Sequence, residues 1–75
     1  MRFLITYMIN VKLGNKIRFL RKKANYSQEE FADKVGVHRT YMGCIERGEK
    51  NVTIQTIKKI SVALGIKIED LLRDI

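Results

Sequence analysis

The chain has 75 residues, 45% of them hydrophobic, with no Pro, no Trp and a single Cys. That length supports one domain near the lower limit for a self-sufficient core. One Cys excludes an intrachain disulfide, so packing or dimerisation must supply the stability. The formal net charge of +7 favours an anionic partner, either nucleic acid or an acidic membrane surface.

Every charged side chain from Met1 to Tyr26 is basic: Arg2, Lys12, Lys16, Arg18, Arg21, Lys22 and Lys23. A solvated helix face accounts for such a run as readily as a partner surface does. The apolar stretch Phe3 to Ile9 is far shorter than the roughly 20 residues that cross a bilayer. It also lacks the small-residue cleavage site of a signal peptide. Residues 1–11 read as an extension whose β-rich composition permits a short strand or a docked arm, with Met8 as an alternative start. The folded domain is expected over 12–75.

Five helical segments follow, giving an all-α domain. The first is expected from about Lys12 to Lys23, with Leu13, Ile17 and Leu20 forming one apolar stripe. The second starts at Ser27. Ser27 and Glu30 have the spacing of a capping box, in which each side chain bonds the other residue's backbone N–H. Phe31, Ala32 and Val35 face inward, and Gly36 stands where a left-handed C-cap is needed. The third runs from about His38 or Arg39 to Arg47, with Met42 and Ile45 inward and Gly48 as its stop. The fourth opens on Thr53 as N-cap, and Ile54, Ile57, Ile60, Val62 and Leu64 supply its buried side before Gly65. The fifth covers about Ile68 to Arg73, with Glu69 and Asp70 at the positive end of its dipole.

With Met42 and Ile45 inward, helical geometry points Arg39, Thr40, Gly43, Cys44 and Arg47 outward. Little acid lies on that row. Arg39 is planar and bidentate, suited to the O6 and N7 acceptors of guanine, and Thr40 offers a hydroxyl and a methyl to a base pair. Gly43 costs about 1 kcal/mol against Ala inside a helix. Close approach of DNA explains its presence, and so does tolerance in a well-packed helix. Tyr41 lies at the flank, either as a phosphate contact or as a half-buried packing ring.

Enzyme chemistry finds no support. Cys44 and His38 sit on widely separated azimuths of one helix and cannot form a nucleophile–base dyad. No CxxC or HExxH supplies metal ligands, and no phosphate-cradling GxxxxGK[ST] loop is present. No catalytic residue, metal or cofactor is expected. Cys44 reads as a small, partly exposed residue.

The strings SQEEFA, VGVHRTYMGCIERG and TIQTIKKISVALGI together resemble the five-helix DNA-binding domain of the lambda-repressor/Cro (Xre) family, over about Lys12 to Leu72. RTY, then IER, then a loop ending NVTI, is similar to the small controller proteins of restriction–modification systems. The resemblance implies that Arg39, Thr40, Gly43 and Cys44 face bases. It implies phosphate contacts from Gln28, at the start of the second helix, and from Arg47, Lys50 and Asn51. It also implies a structural ion pair between Arg21 and Glu46. The sequence departs from the family at His38, where Ser, Thr or Asp is common. His caps poorly; a phosphate contact or a weak cap are the options, and a plain exposed residue is the preferred reading.

The expected function is that of a homodimeric, sequence-specific transcriptional regulator on double-stranded DNA, cytoplasmic and associated with the nucleoid. Its dimer surface is expected from Ile66, Ile68, Leu71, Leu72 and Ile75. Regulation would proceed by occluding a promoter or by touching RNA polymerase. The alternatives are an antitoxin or phage-type repressor, and a protein-interaction adaptor with the same fold. A membrane surface is not an expected partner, because the apolar faces are used by a core.

Overall fold

The computed structural model describes residues 2–75. Among them are five helices and no strand: α1 (Arg2–Lys23), α2 (Gln28–Val35), α3 (Arg39–Glu46), α4 (Ile54–Leu64) and α5 (Ile68–Leu72). Phe31, Ile17, Met42, Ile45, Ile60 and Leu71 form the fully buried centre, one or more from each helix.

α1 starts ten residues earlier than its apolar stripe suggested. Residues 2–11 continue the helix instead of forming a strand or a docked arm, and residue 1 lies outside the described residues. Helix extension is cheap once a nucleus exists, because each added residue gains a hydrogen bond. The packed segment around Leu13 and Ile17 is that nucleus. Thr6 joins the helix by donating its hydroxyl to the Arg2 carbonyl at 3.1 Å. The extension leaves Phe3, Leu4, Ile5, Tyr7 and Met8 exposed.

α1 meets α3 through Gly14. A Cβ there would collide with the carbonyl oxygens of Ile45 and Glu46, so only glycine lets the two backbones approach this closely. At its other side α1 holds α5: Lys16 Nζ donates to the Asp70 and Arg73 carbonyls at 2.6 and 2.9 Å. These are carbonyls left open at the end of a short helix, where a cation is favoured.

Two residues expected in the core are outside it. Ile54 and Val62 are 61% and 64% exposed. The buried face of α4 is set by Ile57, Ile60 and Ser61. Val62 lies well off that azimuth, and Ile54, in the first turn, projects beyond the core's edge. Ser61 is buried at no unsatisfied cost because its hydroxyl donates to the Lys58 carbonyl at 2.7 Å. In α5, Leu71 is wholly buried within the core of the single chain. It therefore leaves the set expected at a dimer surface, while Ile66, Ile68, Leu72 and Ile75 remain partly exposed.

Candidate nucleic-acid interface

α2, the turn and α3 present one face of the molecule. Ser27 Oγ accepts from the Glu30 N–H at 3.0 Å, and Glu30 Oε1 accepts from the Ser27 N–H at 2.8 Å. The Ser27 N–H donating to the Glu30 carboxylate, with the Ser27 hydroxyl adding to it, holds that carboxyl below its ordinary range by favouring the ionised form. Gly36, at φ +89°, ends α2 in the left-handed conformation and turns the chain into α3. His38 does more than occupy the surface: it is the N-cap of α3. Its Nδ1 accepts from the Thr40 N–H at 3.0 Å, which corrects the expectation of a plain exposed side chain. A neutral imidazole nitrogen supplies the acceptor that Ser, Thr or Asp would.

Along α3, Arg39 and Thr40 are exposed in the first turn and Cys44 is partly exposed beyond them. Arg39 NH1 reaches Glu29 Oε2 at 3.4 Å, with its side chain still 65% exposed. Tyr41 packs partly buried against the core. Gly43 lies on the outward row but is covered. It is buried beneath two polar side chains, and a Cβ added to it would lie 3.1 Å from Arg47 NH1 and 3.3 Å from Gln28 Oε1. The glycine makes room for these side chains on the helix surface.

Glu46, at the end of α3, is buried and accepts three hydrogen bonds. Arg21 donates through Nε at 2.7 Å and NH2 at 3.0 Å, and Gln28 Nε2 donates at 3.3 Å. Arg21 NH1 also donates to the Tyr26 carbonyl at 2.8 Å. Thus α1, α2 and α3 are tied at one charged node, and Gln28 is oriented by it. Arg18, Arg21, Gln28, Glu46 and Arg47 line a polar recess of about 280 Å³. Sequence reasoning treated Arg18 only as one charge among many. Its position one turn before Arg21 was the signal that would have brought it here.

The loop after α3 adds Lys50 and Asn51, both exposed. Asn51 Oδ1 accepts from Asn10 Nδ2 at 2.8 Å, which ties the loop to the α1 extension. Arg47 is exposed and pairs with Glu49, a residue absent from the sequence-derived site. Hydroxyl, guanidinium, thiol and amide groups thus lie along α3 and the loop after it, with Glu29 and Glu49 paired to the two arginines. No helix among the described residues is long and apolar enough to cross a membrane.

The family model described as helix-turn-helix matches residues 17–71, from the middle of α1 to α5. The chain belongs to the helix-turn-helix family. Among relatives of this helix-turn-helix chain, control protein C.BamHI of Bacillus amyloliquefaciens is 46% identical over 69 residues, covering 91% of this chain and 85% of that protein. The crystal structure of the restriction–modification controller protein C.AhdI from Aeromonas hydrophila has a TM-score of 0.83 at 40% identity, covering 87% of this chain and 94% of that one. SinR, a master regulator for biofilm formation solved in complex with DNA, has a TM-score of 0.76 at 38% identity, covering 80% of this chain and 97% of that one.

Proposed function

We propose that this helix-turn-helix chain is a sequence-specific DNA-binding transcriptional regulator of the restriction–modification controller kind, acting as a homodimer on a palindromic operator. One observation carries the reading. The edge of α3 that bears Arg39, Thr40 and Cys44 reaches the surface, and donors of the kind that grip phosphate cluster beside it. Arg18, Gln28 and Arg47 meet at one recess beside it, and Lys50 and Asn51 follow in the loop after α3. Such a helix enters a major groove with its first turn against base edges, and the flanking contacts set its register. The buried node of Arg21, Gln28 and Glu46 holds that edge rigid.

A single subunit offers few base contacts, so symmetry doubles the readout. Ile66, Ile68, Leu72 and Ile75 supply the apolar patch for a partner copy. Its work is binding rather than catalysis, in the cytoplasm, by promoter occlusion or by contact with RNA polymerase. Random-site selection on duplex oligonucleotides, followed by footprinting at the protein's own promoter, tests the reading. Two symmetric half-sites about 34 Å apart are expected. Failure to enrich any sequence would favour an adaptor role for the same fold.

A further inference from the structure

Glu49 places a carboxylate at the edge of the proposed DNA surface, and the backbone holds it there. α3 ends in a Schellman closure. The Gly48 N–H donates to the Ile45 carbonyl at 3.1 Å, and the Glu49 N–H donates to the Cys44 carbonyl at 2.9 Å. Gly48 takes φ +74°, and Val11 of α1 lies so close that a Cβ on Gly48 would come within 2.7 Å of its Cγ2. The position of Glu49 relative to α3 is thereby fixed.

Its side chain uses that position. Glu49 Oε2 accepts from Arg47 Nε at 2.8 Å and Oε1 accepts from Arg47 NH2 at 3.2 Å. The same NH2 contacts Cys44 Sγ at 3.6 Å, and NH1 lies over Gly43. The guanidinium is therefore laid along α3 with the fork that would grip a phosphate already filled by a carboxylate. Both side chains remain more than half exposed, at 58% and 52%. The Arg47 hydrogen bonds hold the Glu49 carboxyl below its ordinary range, so it stays charged at neutral pH.

We infer that Glu49 is a specificity-determining residue: by occupying Arg47 it withholds one phosphate contact from duplexes that fit the surface poorly. The inference rests on the DNA-binding reading above. Carboxylate and phosphate compete for one fork, and exposed ion pairs of either kind are worth little net free energy. Exchange is then close to balanced. It is tipped only when contacts elsewhere hold a phosphate at the right place, as on a matched operator. Without Glu49, Arg47 is a free cation for any duplex.

The test is a salt series of binding titrations, using the selected operator and a scrambled duplex of equal length. The proteins are wild type, Glu49→Gln, Arg47→Gln and the double variant, with Glu69→Gln on α5 as a control for net charge. Glu49→Gln is expected to tighten binding of the scrambled duplex by about three- to tenfold for the two copies in a dimer, and to tighten operator binding less. The salt slope should steepen by about one per subunit. The gain should vanish in the Arg47→Gln background and be absent in Glu69→Gln. Equal gains on both duplexes, or a gain that persists without Arg47, would overturn the inference alone. Wild-type protein that bound neither duplex in a salt-dependent way would overturn the DNA-binding reading and the inference together.

Discussion

Arg21 and Glu46 form a bidentate ion pair inside the molecule, with side chains only 8% and 3% exposed. The pair joins the last turn of α1 to the last residue of α3, so it fixes the angle at which the exposed edge of α3 is presented. Removing one partner strands the other as a buried charge. Arg21→Ala and Glu46→Ala are each expected to cost about 3–5 kcal/mol of unfolding free energy in urea denaturation. Replacing both with apolar residues of similar volume should cost much less than the sum. A double variant whose loss equalled that sum would show that the two residues act independently.

Two helical glycines should respond differently to alanine. At Gly14 the obstacle is backbone, the Ile45 and Glu46 carbonyls, and cannot be moved without parting α1 from α3. Gly14→Ala is expected to destabilise by about 1–3 kcal/mol or more. At Gly43 the obstacles are the ends of two flexible side chains, Arg47 and Gln28. There the gain in helix propensity, up to about 1 kcal/mol, offsets their displacement. Gly43→Ala should leave thermal stability near wild type while weakening DNA binding, because Gln28 and Arg47 are moved.

Leu71 and Leu72 are neighbours in different surroundings. Leu71 is wholly buried, whereas Leu72 is partly exposed. Leu71→Ala should lose about 2–5 kcal/mol of stability. Leu72→Asp should instead yield a folded monomer in sedimentation equilibrium, with operator affinity lowered. A folded Leu72→Asp dimer would move the interface elsewhere.

The capping box of α2 gives stability a defined pH dependence. The folded pKa of Glu30 is lowered by its bonds with Ser27, relative to the unfolded chain. Its contribution is therefore complete above the unfolded carboxyl range and is lost as pH falls through the lower, folded value. Thermal melts at decreasing pH should show this loss in wild type. Glu30→Ala should be less stable at neutral pH and show a shallower acid decline.

The residues that organise α2 and α3 are legible in the sequence because their physics is local. Ser27 and Glu30 cap each other three residues apart, Gly36 takes the left-handed turn, and Met42 and Ile45 repeat at helical spacing. The start of α1 was not legible. Ile5, Thr6, Ile9 and Val11 favour strands, and only propagation from the packed half of α1 overrides them. Ile54 and Val62 misled because hydrophobicity alone does not fix azimuth. Gly43 and Arg18 depend on side chains that converge from separate helices, so their surroundings exist only in the folded chain. His38 was misread because a general preference at N-caps outweighed the acceptor that imidazole offers.

In the proposed function the exposed first turn of α3 meets base edges, and Arg39 is its most informative side chain. Binding of wild type and Arg39→Ala to the selected operator and to every single-base-pair variant of one half-site, at fixed salt, measures its role directly. Wild type should discriminate at defined positions, and Arg39→Ala should lose about 1–3 kcal/mol together with preference at one of them. Identical base preferences and affinities for the two proteins would contradict placement of this helix edge against base pairs.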